Sequence, residues 1–355
     1  MSAPPRPVLI IGGAGFIGAN LADALLADGQ PVVLFDNLSR PGVERNARWL
    51  AKRHGARVRL VVGDIRDSAV LADLVGNASA VFHFAAQVAV TTSLDNPFED
   101  FAVNAQGTLG VLEAVRLHSP SLPVIFASTN KVYGGLADLS LRLTPSGYVP
   151  EDARVRERGI SEVRPLDFCT PYGCSKGAAD QYVLDYAKSF DMRTAVLRMS
   201  CIYGPRQFGT EDQGWVAHFT IRALRDEPII IFGDGYQVRD ILHVADAVAA
   251  YRAVLANIET VRGQAFNLGG GPDNAVSLQT VLTEIRRLVP NMQDVTYDAP
   301  RIGDQNYYVA DTRKLTEAVG WWPTIGWREG LRDLLDWMQS DALAAEQPAR
   351  MRLRA

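Results

Sequence analysis

Val8-Leu9-Ile10-Ile11-Gly12-Gly13-Ala14-Gly15-Phe16-Ile17-Gly18 is the stretch on which the fold turns. Its first four residues are apolar and mostly β-branched, which reads as a short strand buried on both faces. A turn follows with glycines spaced GxxGxxG, and from Phe16 to Asp28 apolar residues recur three and four apart, the period of a helix. Glycines at those places let the backbone turn tightly and approach a pyrophosphate at the positive end of the helix. A glycine-rich turn can also be a plain strand-to-helix connection. The buried strand before it and the amphipathic helix after it favour the phosphate site. Gly12, Gly15, Phe16, Ile17 and Gly18 are therefore candidate contacts for a dinucleotide.

Outward from this unit the same pattern repeats. Short apolar runs occur at Val32–Phe35, Val58–Val62, Ala80–Phe84, Val124–Ala127 and Thr194–Arg198, and they read as strands buried on both faces. Helical periods lie between them, at Asn104–Leu117 and Ser175–Phe190. Alternation of this kind implies a parallel sheet covered on both sides, an α/β Rossmann-type doubly wound fold. After Met199 the rhythm gives way to loop-rich sequence with many Gly, Pro and aromatic residues, followed by a strand-like run at Ala265–Leu268 and a helix at Leu278–Leu288. The expected division is a cofactor domain of residues 1–199 and 237–270 and a smaller mixed α/β substrate domain of residues 200–236 and 271–340. Residues 341–355 read as a flexible tail. The charged stretch from Gly135 to Cys169 reads as an exposed flap or a contact between subunits.

The 355 residues carry a formal charge of −4, with Lys and Arg scattered, so no footprint for nucleic acid or an anionic membrane is expected. Three cysteines, Cys169, Cys174 and Cys201, lack CxxC or Cys/His spacing and suggest neither a disulfide framework nor a metal site. The N-terminus lacks the pattern of a signal peptide, and no apolar run approaches membrane-spanning length, so a soluble cytoplasmic protein is expected.

The second strand ends at Asp36, with Asn37 beside it. A carboxylate there can accept hydrogen bonds from the adenosine ribose and would repel a 2′-phosphate, which favours NAD over NADP. A turn-forming role is the plain alternative, and nearby Arg40 weakens the discrimination. Asp64, followed by Ile65, suits either the adenine edge or loop capping. Tyr172 and Lys176 lie four apart on a helix and so share a face, where an ammonium favours the phenolate. Such a pair is common on surfaces. Its weight comes from Thr129 at the end of the fifth strand, which completes a trio of hydroxyl, phenol and ammonium. His83 reads as a core histidine, and His243 and Asp246 as capping and stitching residues between domains.

Gly12 to Gly18, Asp36, Phe84-Ala85-Ala86, Thr129 with Val132-Tyr133-Gly134, Tyr172 to Lys176, and Tyr203-Gly204-Pro205-Arg206 occur in the order found in extended short-chain dehydrogenases/reductases acting on nucleotide sugars. The chain resembles that family over roughly residues 8 to 340. The resemblance implies NAD as cofactor, with Asp64, Ile65, Phe84, Ala85, Ala86, Gln87 and Lys176 among its contacts. It implies Thr129, Tyr172 and Lys176 as catalytic residues and a nucleotide-diphosphate sugar as substrate. Asn104, opening a helix, resembles a residue that orders such sites, and helix capping explains it equally. Pairing of subunits through the helix bearing Tyr172 implies a homodimer or homotetramer.

More particular stretches, Gln87 to Ser93, Ser128 to Gly134, Pro171 to Tyr182, and Arg206 to Phe208 leading to Asp212–Val216, are similar to those of 2-epimerases of CDP-linked deoxysugars. On this basis Thr91, Ser93, Asn130, Lys131, Ser200, Arg206, Gln207 and Gln213 are candidate substrate contacts. Arg239 and Arg301 suit a diphosphate clamp, because a guanidinium fork matches phosphate oxygens. Related 4,6-dehydratases carry an Asp-Glu pair after the active-site threonine as acid and base. Asn130 and Lys131 stand there in this chain, which argues against dehydration. The choice of C2 is what the resemblance implies; the Tyr, Lys and glycine machinery would serve oxidation at C4, or on a UDP- or GDP-sugar, equally well. A silent NAD-binding protein of the same fold would have no use for the catalytic trio.

Overall fold

The structure, a computed structural model, describes residues 5–350, with residues 342–350 described by their helical backbone alone. Its centre is a seven-stranded, wholly parallel sheet: β1 (Val8–Ile11), β2 (Val32–Asp36), β3 (Val58–Val62), β4 (Ala80–His83), β5 (Val124–Thr129), β6 (Thr194–Met199) and β7 (Gln264–Leu268), in the order β7-β6-β5-β4-β1-β2-β3. The strand order reverses between β1 and β4, which pair directly, and the crevice of a doubly wound sheet opens at that point. The expected doubly wound architecture is the one observed.

Period-two alternation explains why these strands read as unbroken apolar runs. Along β1, Val8 and Ile10 face one core with Leu21, Leu25 and Tyr251, beneath helices Phe16–Ala27 and Val244–Ala256. Leu9 and Ile11 face a second core with Leu71, Val111, Leu112 and Val183, from helices Ser68–Gly76, Gly107–His118 and Thr170–Ser189. The strand β3 departs from the expectation of burial on both faces. It is the outermost strand, and Leu60 and Val62 stand exposed there, 39% and 62% accessible.

The second layer of structure is centred on Val238–His243, which pairs in parallel with Cys201–Tyr203 and Tyr307–Tyr308 and antiparallel with Ala275–Ser277. Segment 237–270 is therefore shared: this strand lies in the smaller sheet, while helix Val244–Ala256 and β7 return to the large one. A third core, including Phe219, Ile229, Ile241, Leu282 and Leu331, holds the smaller sheet to helices Trp215–Leu224, Leu278–Leu288 and Trp327–Arg350. The segment 341–355, expected as a tail, falls at the end of that last helix and partly outside the described residues. His243 accepts the Ala245 N–H as a helix cap, and the Asp246 carboxylate accepts the N–H groups of Thr324 and Ile325, tying helix Val244–Ala256 to the C-terminal segment.

The stretch 135–169 is not a free flap. Its hairpin, Leu141–Thr144 and Gly147–Pro150, and helix Ala153–Arg158 dock on the smaller sheet. Leu136, Ile160, Val155 and Leu166 pack with Tyr308 and Ala310, and Ile160 N–H donates to the Val309 carbonyl at 2.7 Å.

One buried ion pair pins the helix Thr170–Ser189 to the sheet. Arg198 of β6 donates from Nε and Nη2 to Asp180, both at 2.9 Å, and from Nη1 to the Tyr133 hydroxyl, which donates onward to Asn267 of β7 at 2.8 Å. Both charges are nearly inaccessible, so removing one partner strands the other in a low-dielectric interior. Asp180→Ala is expected to lower stability by about 3–5 kcal/mol, read as a drop in the urea midpoint. A change no larger than that of a surface substitution would show that Arg198 finds another partner.

Candidate active site

The glycine turn forms a cradle that admits no side chains. Gly12 has φ +78°, and a Cβ there would lie 2.5 Å from the Ala85 nitrogen, beyond the end of β4. A Cβ on Gly18 would lie 2.5 Å from the Gly12 carbonyl oxygen, so the helix packs directly on the turn. No side chain caps the helix Phe16–Ala27, which leaves its first N–H groups to a ligand.

Asp36 braces this cradle and faces the cavity beside it. Its Oδ2 accepts the Ala14 N–H at 3.0 Å and its Oδ1 the Leu38 N–H at 2.9 Å. Burial pushes its pKa up; the backbone N–H groups and Arg40 pull it down. The turn-forming and ligand-facing readings thus coexist in one carboxylate. Asp64 is more committed: Arg66 grips both its oxygens, at 2.7 and 2.8 Å, and holds its pKa down at about 2.

A cavity of about 750 Å³ lies over the switch point. Gly12, Gly15, Phe16, Ile17 and Gly18 line it, with Asp36, Asn37, Asp64 and Ile65 at one end and Phe84, Ala85, Ala86 and Gln87 along the wall. Tyr172 and Lys176 line its floor. The residues present fit NAD: a cradle that a Cβ would fill, an acid at the end of β2, and buried oxygens of Ser128, Gln87 and Asn46 without partners.

The helix Thr170–Ser189 delivers the phenol and ammonium to the end of β5. Lys176 Nζ donates to the Ala127 carbonyl at 2.6 Å and sits 4.0 Å from the centre of the Phe126 ring. Burial lowers its pKa to about 7, against the pull of Asp180 and Asp100. Burial raises Tyr172 to about 12; the Thr129 hydroxyl and Arg40 oppose the rise, and Asp100 adds to it. The acidifying effect expected of Lys176 on Tyr172 is not among the influences on the phenol, so burial dominates both groups. Tyr172 N–H donates to Ser93 Oγ at 3.2 Å, and Ser93 Oγ donates to Val90 carbonyl at 2.7 Å, so this expected substrate contact anchors the helix start.

The remaining substrate candidates divide. Arg206, Gln207 and Gln213 line the cavity, Arg206 lying over the Trp49 ring and Gln207 with a buried Oε1 that has no partner. Thr91, next to the cavity-lining Thr92, also has an unpartnered buried hydroxyl. Asn130 bonds Gln305 at 3.3 Å, and Ser200 bonds the Asp240 carbonyl at 2.9 Å. Lys131 donates to the Gly303 carbonyl at 3.0 Å and lies 3.6 Å from Asp304. Arg239 pairs with the same Asp304 at 2.7 Å, and Arg301 with Glu211 at 2.7 Å and Asp212 at 3.4 Å. The two arginines expected as a diphosphate clamp therefore already face carboxylates and do not line the main cavity.

Several participants escaped the sequence reading. Ser128 is one. Asn46 lies among Val43, Ala47 and Leu50 on the buried face of helix Val43–His54, where a polar residue in an apolar stripe is a signal. Asp100, next to Ser175, carried no motif. Asn104 does not open a helix. It lies within a π-helical turn, Ala102–Gln106, and its amide accepts the Gln87 N–H and donates to the Gln87 carbonyl, both at 2.9 Å, so the capping alternative falls.

The profile of the NAD dependent epimerase/dehydratase family matches residues 8–269. The chain is 42% identical over 340 residues to a CDP-paratose 2-epimerase of Salmonella typhi, covering 94% of this chain and 99% of that protein. A UDP-glucose 4-epimerase of Thermotoga maritima, solved with UDP-glucose, superposes with a TM-score of 0.80 at 28% identity, over 95% of this chain and 99% of that one. A Thermus thermophilus UDP-glucose 4-epimerase, solved with NAD, does so with a TM-score of 0.79 at 30% identity, over 94% and 99%.

The depressed pKa of Lys176 makes stability depend on pH. Between about 7 and the ordinary lysine value of 10.5 the unfolded chain binds a proton that the native site does not. Native stability therefore gains from this site as pH rises through that window, and the penalty is fullest below it. Lys176→Met removes the effect. Its melting temperature relative to the parent is expected to be highest at pH 6 and to fall steadily toward pH 10 by differential scanning fluorimetry. A constant difference across that range would refute the assignment.

Proposed function

The chain belongs to the NAD dependent epimerase/dehydratase family, and from that premise we propose that it inverts C2 of a CDP-linked deoxysugar, interconverting CDP-paratose and CDP-tyvelose. The observation that carries this reading is the 42% identity, over nearly the whole of both chains, with a 2-epimerase of that substrate. Asn130 and Lys131 after Thr129 agree with it, since neither supplies the carboxylic acid and carboxylate that elimination of water needs.

When bound, NAD supplies the acceptor that takes a hydride from the sugar and returns it. The chain's own groups handle the proton and the charge. Tyr172 takes the C2 hydroxyl proton as the carbon is oxidised and gives it back on reduction. Thr129 shares the charge developing on that oxygen. The Thr129 hydroxyl and Arg40 favour the phenolate while Tyr172 is deprotonated, and Lys176, lining the cavity beside it, is placed to hold the nicotinamide ribose. The 2-keto sugar then turns its other face before reduction, and no net redox change results. Arg206, Gln207 and Gln213 border the cavity and are placed to hold the substrate. Arg239, Lys131 and Arg301 would receive the diphosphate by exchanging their carboxylate partners for phosphate oxygens.

A homodimer or homotetramer in the cytoplasm is the setting we propose. The exposed Phe98, Phe101 and Tyr182, on helices flanking the catalytic one or on it, support pairing of two copies there. Among the described residues no helix is long and apolar enough to cross a membrane.

Incubation with CDP-paratose, CDP-tyvelose and UDP-glucose, followed by proton NMR at C2 and C4, tests the reading. Interconversion of the two CDP sugars is expected. Change at C4 of UDP-glucose alone would replace it with a 4-epimerase. Tyr172→Phe should lower kcat by about 10²–10⁴-fold with bound NAD unchanged; retained turnover would remove Tyr172 from the reaction.

A further inference from the structure

Asp100 is a buried carboxylate, 1% accessible, that no motif accounts for. It lies on the short helix Pro97–Phe101, which packs against the helix Thr170–Ser189. The Ser175 hydroxyl donates to its Oδ2, and Asn104 Nδ2 donates to its Oδ1 at 3.1 Å. Asn104 is itself fixed by the Gln87 backbone, and Ser175 directly precedes Lys176. The carboxylate is thus held from two sides by neutral groups and aimed at the base of the Tyr172–Lys176 turn.

The charge around that turn decides what Asp100 does. Asp180, one turn beyond Lys176, also favours the ammonium, and its carboxylate is gripped by the bidentate Arg198. His83, buried against the other side of Lys176, is held neutral, with a pKa of about 3, and bonds the Thr108 hydroxyl at 3.0 Å. Arg40 acts on Tyr172 from the opposite wall of the cavity, where it also faces Asp36. Among the described residues, the charged group that acts on Asp100 is the Lys176 ammonium. An isolated buried carboxylate is costly, and it persists where a nearby cation compensates it.

Resting on the proposed role of Tyr172 and Lys176, we infer that Asp100 is a positioning residue for that pair: its carboxylate, held by Ser175 and Asn104, is a counter-charge that, beside Asp180, favours the Lys176 ammonium and helps set the pH range over which Tyr172 exchanges its proton. Its negative charge favours the ammonium and disfavours the phenolate. Removing it should therefore move both titrations in the same direction, toward lower pH. A residue with a merely structural role would lower the rate without moving either.

The test compares the NAD-bound protein with its Asp100→Asn and Asp100→Glu variants, following C2 epimerisation by NMR from pH 5 to 10. Both limbs of the rate profile should shift down by about one pH unit in Asp100→Asn. Asp100→Glu, which keeps the charge, should leave the limbs in place even if its rate falls. If Asp100→Asn does not fold, Asp100→Ala with Ser175→Ala removes the pair together and should give the same shift. Limbs that stay put in the charge-removing variant overturn the inference. A second readout stands apart from turnover: [13Cε]lysine-labelled protein has signals only from Lys52, Lys131, Lys176, Lys188 and Lys314. The Lys176 signal, assigned by its loss in Lys176→Met, should titrate about one pH unit lower in Asp100→Asn. A parent that epimerises no CDP sugar refutes the proposed function. The lysine titration then still decides the counter-charge, and an unmoved Lys176 signal overturns it.

Discussion

The contact between Gly12 and Ala85 is the constraint from which the rest of the molecule follows. With φ +78° and 2.5 Å between a notional Cβ and the Ala85 nitrogen, the turn after β1 lies directly on the chain leaving β4. This is possible because β1 and β4 are neighbours across the reversal of strand order. The same closeness opens the crevice above them, since the chains leaving β1 and β4 part toward opposite sides of the sheet. The cavity over the switch point, the uncapped helix start and the brace from Asp36 to Ala14 are consequences of one close backbone approach. Any side chain at Gly12 would push β1 and β4 apart and widen the floor on which Tyr172 and Lys176 stand.

Burial acts on those two groups in opposite senses. It raises the phenol to about 12 and lowers the ammonium to about 7, so both move toward their uncharged forms. Desolvation penalises the charged form of each. A lysine one turn away acidifies a tyrosine in water or at a half-exposed site. In this interior the larger effect is loss of solvent, and the charged state of the pair depends on the few fixed charges and dipoles that remain: the Thr129 hydroxyl, Arg40, Asp180, Asp100 and the Ala127 carbonyl. Charge arriving with ligands therefore has strong leverage, because little water is present to screen it.

Local features were legible in the sequence and long-range partnerships were not. The glycine turn, the doubled apolar faces of β1, β4 and β5, and the shared helical face of Tyr172 and Lys176 depend on residues within a few positions of one another. The exposure of β3 depends on its place at the edge, which no local pattern encodes. Asn104 looked like a helix start because Pro97–Phe101 and the π-helical turn that contains it have no steady apolar period, while its partners Gln87 and Ser175 are distant in sequence. The stretch 135–169 looked exposed from its charge, yet its few apolar residues, Leu136, Val155, Ile160 and Leu166, are spaced to meet Tyr308 and Ala310.

The substrate side shows the same limit in charge rather than packing. A guanidinium fork suits a diphosphate, and it suits a carboxylate for the same geometric reason. Arg239 and Lys131 share Asp304, leaving that group of three with one net positive charge, while Glu211 and Asp212 outnumber Arg301. Preformed pairing of this kind keeps the cations from lying unpaired in a partly dry cleft. In the proposed reading an entering diphosphate would meet cations already oriented, and binding would require Glu211 and Asp212 to release Arg301 to other partners or to water. Glu211 and Asp212 are half-exposed, so their release is cheap, whereas Asp304 is more enclosed and remains with Lys131 or Arg239. Arg301 is thus the cation freest to exchange, and it lies against the loop that carries Gln213 into the cavity. If Arg301 receives the diphosphate as proposed, substrate entry and the setting of that loop are coupled through one guanidinium.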